Sequence, residues 1–348
     1  MRRRHGGLMA AGLTAVSLAA VLASIGVGSE SISFAAAWRD WCAGRPLADA
    51  PELAILLQHR LPRTLAALFA GGGLALAGCV FQALLRNPLA TPYTLGVASA
   101  GAFGAYTATV VMRSAGLALA LWGFSAVQVF AFVFALLDVS LIYLMAVRRH
   151  HVSSSVLLLA GITLGMLSNA GMMLVRFLSE PGMLAMMERW LMGGVDVIGY
   201  EPVVRLAAGV LPCSAVLLLQ AAKFDQLGFG AEVAQGRGVN VRRLQTTTFL
   251  LGSFLTAVIV SEVGPIGFVG LIVPHAVRSL TGSRHRLLLP LSFVAGGAFL
   301  CLCDIFARIM LPGETPIGII TAFNVLFAGV TFAALMANAE KRYNMIEL

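Results

Sequence analysis

Residues 64–85 read TLAALFAGGGLALAGCVFQALL, a run with no charged residue and one amide, at Gln82. It is longer than the roughly 18 apolar residues that mark a membrane-crossing helix. Arg60-Leu61-Pro62-Arg63 stands before it and Arg86-Asn87-Pro88 after it, so charge is kept to its ends. The rest of the chain repeats this pattern. The 348 residues are 59% hydrophobic and 11% charged, with a mean hydropathy of +0.88. A soluble domain carries about a quarter charged residues, so the polar residues here cannot coat a soluble fold of this length. After a first apolar run ending at Val27, further runs lie at about 53–85, 92–112, 120–147, 153–177, 201–222, 244–261, 263–280, 287–310 and 315–337. The fold class is therefore an all-α polytopic membrane protein of about ten spans, one transmembrane domain over residues 1–348.

Met1-Arg-Arg-Arg-His5 and the apolar residues that follow resemble a signal peptide. The run exceeds the 7–15 residues of a signal h-region, so it reads as span 1. Residues 28–52 then form a polar, acidic loop with Trp38 and Trp41, suited to an interface. With the amino terminus inside, the cytoplasmic segments collect 15 of the 24 basic residues but only four of the 16 acids. The positive-inside rule puts both termini in the cytoplasm, as an even span count requires.

The charge of +8 arises at the ends of apolar runs and not in a basic stripe, so it reports topology and not a nucleic-acid partner. Lys223 and Lys341 are the two lysines, and neither lies in a P-loop setting. Any ATP hydrolysis belongs to another chain. Cys42, Cys79, Cys213, Cys301 and Cys303 show no repeated C-x-x-C and read as small apolar filler. His150, His151, His275 and His285 have no acidic or cysteine partner at ligand spacing, so no metal site is expected. Asp138, in span 4, reads as a proton-relay element or as a buried hydrogen-bonding residue.

Residues 223–243, KFDQLGFGAEVAQGRGVNVRR, are the longest polar insertion in the hydrophobic body. Their glycines suggest short helices joined by tight turns. Such a loop is a natural docking surface, or else a solvated connector. Gly71-Gly72-Gly73 and Gly296-Gly297 let helices approach closely in lipid. Gly264-Pro265-Ile266-Gly267-Phe268-Val269-Gly270 reads as an interrupted helix buried among others.

Three stretches are more particular. They are Arg60–Leu65 with Gln82–Pro92; Gly264–His275 with Arg278; and Asp304-Ile305-Phe306-Ala307-Arg308 with Glu314–Ala322. Together with Leu158–Gly161 and Trp190–Gly193, in this order and spacing, they resemble the permeases of the iron-siderophore and vitamin B12 family of binding-protein-dependent ABC importers. The resemblance runs from about residue 55 to 323. It implies ten helices per subunit in a homodimer (or a pair with a paralogue), with the pathway at the interface. It further implies two cytoplasmic P-loop ATPase subunits that bind the ATP and Mg, and a periplasmic binding protein. The chain itself then needs no cofactor and is not an enzyme, and it sits in a bacterial inner membrane.

Residue by residue, the resemblance makes Arg60, Arg63 and Arg308 periplasmic cations that receive carboxylates of the binding protein. Charge reversal of Arg60 and Arg63 together is then expected to weaken docking and leave the fold intact. The plainer reading is arginines snorkelling to headgroups, with Arg308 paired to Asp304 at i,i+4. Glu232, Ala234, Gly238 and Val239 match the family's ATPase-coupling segment, with Arg237 where an apolar residue is common. Ser153, Ser154 and Ser155 match small polar residues at the cytoplasmic gate, and a serine there is also an ordinary helix N-cap. After Ala322 the chain departs from the family, with Phe323–Gly329 in place of a Gly-Ala-Pro stretch. The expected cargo is an iron(III)-siderophore or similar chelate, with haem or cobalamin as variants. The competing expectation is a proton-coupled secondary transporter with Asp138 or Glu262 titrating.

Overall fold

The computed structural model describes residues 2–28, 30–115, 120–121, 124–146, 154–309 and 316–322. In chain order the helices are α1 (Arg2–Gly26), α2 (Phe34–Cys42), α3 (Pro51–Ala54), α4 (Leu61–Leu85), α5 (Val97–Ala115), α6 (Ala126–Ala146) and α7 (Ser154–Leu178). They continue as α8 (Pro181–Leu191), α9 (Glu201–Leu219), α10 (Ala221–Leu227), α11 (Ala231–Gly236), α12 (Val241–Val263), α13 (Val269–Thr281) and α14 (His285–Ile309). A π-helical turn, Ile55–Arg60, joins α3 to α4 without a break. Two-residue strands, Ala120–Leu121 and Phe124–Ser125, pair antiparallel ahead of α6.

Among the described residues, seven helical segments are long and apolar enough to cross a membrane. Nine of the ten expected runs coincide with helices: α1, α4, α5, α6, α7, α9, α12, α13 and α14. The tenth is described only over 316–322, helical from Ile317; the departure after Ala322 lies outside the described residues. The interrupted segment is found as expected. Residues 264–268 are irregular, Phe268 adopts a left-handed φ of 69°, and α13 is 13 residues long.

The centre of the bundle is α4, packed by α14, α13, α12 and α9. Its sequence explains this. Ala66, Ala67, Ala70, Ala75 and Ala77 are fully buried, and the glycines between them bring backbones into contact. A methyl at Gly71 would overlap the Gly296 carbonyl, and one at Gly78 would overlap Gly270. Small residues replace the hydrophobic drive that lipid removes. A second group, α5, α6 and α7, is joined to α4 largely through α12. The helix α7 leaves Leu159, Met166, Met173 and Phe177 at least two-thirds exposed, an apolar face that the described residues do not cover.

Candidate functional site

The residues singled out in the sequence fall at two ends of α4. Pro62 follows directly on the π-helical turn Ile55–Arg60, and Arg60 and Arg63 stand at the amino-terminal end of α4. Twenty-five residues on, about 38 Å at the α-helical rise, Arg86 closes α4 in a left-handed conformation. Its guanidinium donates to the Leu227 carbonyl of α10 at 2.9 Å. Arg60 and the 223–243 loop are therefore at opposite ends of the bundle.

At the first end, Arg60, Arg63 and Arg308 line one opening of about 240 Å³ with Gly28 and His59. The expectation of exposed cations is not met there. Arg60 is 5% and Arg308 6% exposed, and both reach under the α1–α2 connection. Arg60 donates to the carbonyls of Ile25 and Gly26, at 3.2 and 2.7 Å, and to that of Glu30. Arg308 donates to the Val27 carbonyl at 3.0 Å and to Ser24 Oγ at 3.0 Å. The carboxylate of Asp304, fully buried on α14, faces Arg308 at 2.6 Å and Arg63 at 2.9 Å. Charge reversal at Arg60 would set a carboxylate against three carbonyls, so the expectation that the fold survives it is corrected. Arg63 has a further face, 3.5 Å from Asp196, which also meets Arg189 at 3.7 Å.

At the other end, the loop is the pair of short helices expected. Gly230 (φ 128°) precedes α11, and Gly238 (φ 83°) turns the chain back out of it. Only a residue without Cβ adopts these angles cheaply. Ala234 and Val239 are buried, and the Val239 amide donates to the Ala234 carbonyl at 3.0 Å, so these two residues hold the turn to the body. Glu232 and Gly238 are exposed. Sequence reasoning missed their neighbours Phe229 and Val233, 71% and 43% exposed, with the Arg237 guanidinium 5.5 Å from the Phe229 ring. The signal was present: an aromatic between two glycines, outside any apolar period.

Also missed was Asp225. Its Oδ1 accepts from the backbone N–H of His285, first residue of α14, at 2.8 Å, and lies 2.8 Å from the His285 ring Nδ1. His285 is thus a tie between α10 and α14. Gln82 bridges two of the recognised stretches: its amide donates to the Gly270 carbonyl at 3.2 Å, and its oxygen accepts from Arg278 at 3.1 Å. Of the three gate serines, Ser153 lies outside the described residues, Ser154 opens α7, and Ser155 is exposed.

Also at the arginine end, near the close of α12, Glu262 accepts from Arg205 at 2.7 Å and from Gln128 at 2.9 Å, with its side chain 2% exposed. Asp138 is buried, and its Oδ2 has no partner among the described residues. Cys79, Cys213, Cys301 and Cys303 are buried and unbridged, in keeping with apolar filler.

Membrane-length helices packed around a glycine-rich centre make up the architecture of a multi-pass membrane protein. The chain belongs to the FecCD transport family, which residues 16–338 match. It is 36% identical over 271 residues to the Fe(3+)-citrate import system permease protein of Bacillus subtilis, covering 77% of this chain and 78% of that one. It is 35% identical over 311 residues to the vitamin B12 import system permease protein of Citrobacter koseri, covering 89% of each. Among solved structures, an inward-facing metal-chelate type ABC transporter superposes with a TM-score of 0.78 at 30% identity, over 95% of this chain and 99% of that one. The chain is thus a transport component of the ABC-importer permease type.

Proposed function

We propose that the chain is the membrane subunit of an ATP-driven importer that carries an iron(III) chelate, or a haem or corrinoid of similar size, inward across a bacterial inner membrane. In this reading a second copy covers the apolar face of α7, and the pathway runs between the two copies. The arginine end faces the periplasm and receives a soluble carrier, with Arg63 nearest the contact and Arg60 and Arg308 setting the connection beside it. The α10–α11 end faces the cytoplasm and sits on a P-loop ATPase, presenting Glu232, Phe229 and Val233 around the Gly238 turn. Both termini are cytoplasmic, and Ser153–Ser155 lie at the inner gate.

The observation that carries this reading is mechanical. The arginine end and the α10–α11 end are held about 38 Å apart by one helix, and α14 is tied to both, through Asp304 and through His285. The relatives named above serve Fe(3+)-citrate and vitamin B12, which supports a large chelated cargo and does not choose one. The secondary-transporter reading is weaker, because the family and the relatives named above are import-system permeases and, of its two candidate acids, Glu262 is committed to Arg205 and Gln128, which leaves Asp138 alone.

The test is reconstitution in liposomes with the ATPase and carrier, the carrier loaded in turn with ferric siderophores, haem and cobalamin. Uptake of one ligand that needs ATP and carrier and survives an uncoupler supports the proposal. Uptake that needs neither and collapses with the uncoupler overturns it.

A further inference from the structure

Beyond α1 the chain forms the nine-residue helix α2, Phe34–Cys42. Its start is fixed twice: the Ser33 hydroxyl accepts from the Ala36 amide at 3.2 Å, and the Ser33 amide donates to Glu52 of α3 at 3.2 Å. At about 100° per residue, the side chains of α2 divide into three faces. Ala36, Ala37 and Asp40 turn toward the protein, where Ala37 is buried with Ala50 and Leu53. Ala35 and Arg39 are exposed about a third of a turn away. The remaining third is aromatic: Phe34, Trp38 and Trp41, at i, i+4 and i+7, are 48%, 68% and 58% exposed. A helix resting between a protein and water needs two faces. A third, apolar one calls for a third phase.

The position of α2 supplies that phase. It leaves α1 at the arginine end and packs on α3, which runs through the π-helical turn into α4. It therefore lies where two membrane-length helices meet the surface. On α1 itself Val16, Leu18 and Leu22 are 60% or more exposed, a face suited to hydrocarbon. Tryptophan settles at the boundary between lipid and water, with its ring in one and its N–H toward the other.

Beside the aromatic flank, Trp41, Leu47, Leu53 and Leu57 line a groove of about 320 Å³ with Arg45 among them. The Arg45 side chain is 60% exposed and gives Nη1 to Asp40 at 3.0 Å; its other guanidinium nitrogens have no partner among the described residues. Leucine walls accept an acyl chain, and a guanidinium fork accepts a phosphate.

We propose that α2 is an interfacial helix that binds a phospholipid from the leaflet at the arginine end, with an acyl chain in the Trp41–Leu57 groove and the phosphate on Arg45. Phe34 and Trp38 sit in the lipid around it, as amphipathic helices lie in the interface plane. The bound lipid steadies from outside the same α1–α2 connection that Arg60 and Arg308 hold from within. This rests on α1 and α4 crossing the membrane, and not on what the chain transports.

The experiment uses the full chain with Trp122→Phe and Trp190→Phe, so that Trp38 and Trp41 report. In nanodiscs of phosphatidylcholine brominated near the headgroup, most of their emission is expected to be quenched, and iodide in the water is expected to quench little. Emission that the bromine spares and iodide removes overturns the proposal and leaves the flank to a soluble partner. In detergent, with Trp38→Phe added so that Trp41 alone reports, brominated phosphatidylcholine is expected to quench saturably and about tenfold more tightly than brominated diacylglycerol, which has no phosphate. Arg45→Gln is expected to remove that preference, and Arg45→Lys to keep part of it. Equal affinity for the two lipids, or a preference that survives Arg45→Gln, overturns the seat on Arg45.

Discussion

Asp304 is the residue on which the arginine end stands. One fully buried carboxylate faces two guanidinium groups, Arg308 at 2.6 Å and Arg63 at 2.9 Å, with side-chain exposures of 4% and 12%. Replacing it with Asn keeps the shape and removes the charge, and its amide N–H₂ then points donors at donors. Breaking a buried pair by removing one partner costs about 3–5 kcal/mol, because a charge stays buried without compensation. Arg308 keeps its bonds to Ser24 and Val27, which places the expected loss toward the lower end of that range. The chain contains its own control. Asp40 pairs with Arg45 at 3.0 Å, but the Arg45 side chain is 60% exposed, and exposed pairs are worth about 0–1 kcal/mol. Unfolding of purified protein by SDS titration should therefore separate Asp304→Asn from Asp40→Asn by about 2 kcal/mol or more. Equal and small losses for the two variants would refute the argument that burial, and not the mere count of ion pairs, stabilises this end.

Further outcomes follow from the packing. Gly78→Ala drives a methyl into the backbone of Gly270 and should cost about 1–3 kcal/mol by overpacking. Gly236→Ala, with open space around it, should be neutral or slightly stabilising in the same unfolding assay. Asp225→Ala removes the cap on α14 and the His285 partner, a loss of about 0.5–2 kcal/mol. Amide exchange should quicken in α10 and the first turn of α14 while the amides around Arg63 stay protected. Arg60→Glu should lower folded yield sharply in detergent, whereas Arg63→Gln should fold and lose carrier affinity in a pull-down; normal folding of Arg60→Glu would show that the bonds to the α1–α2 connection are dispensable.

Fold class was legible because membrane crossing is a composition problem: a run such as 64–85 has no alternative in water or in lipid. The broken helix at 264–268 and the turn at Gly238 were legible because Gly and Pro act on their own backbone. Side-chain direction was not. Arg60 and Arg308 carry the same letters whether they face a partner or a carbonyl, and what decides is the α1–α2 connection, 30 or more residues away from Arg60 in sequence and over 280 from Arg308. The same distance hid Asp225 with His285, which are 60 residues apart. Local pattern reports how a segment satisfies itself; it is silent on which remote groups complete it.

Both ends of the bundle use the same device, and this bears on how motion would pass between them. At each end a carboxylate tied to α14 meets a partner from elsewhere: Asp304 of α14 holds Arg63 of α4, and Asp225 of α10 holds the first residue of α14. Between these ties α4 and α14 approach closely at glycines, Gly71 against the Gly296 backbone and Gly297 against Leu68, which leaves little room for a shift. Close-packed interiors transmit strain because they do not compress. A displacement of α10 would on this geometry be expected to carry α14 as a rigid element, and with it Arg308, whose guanidinium bonds the connection at Val27. Arg60 and Arg308, expected to grip a partner directly, instead hold the α1–α2 connection in place.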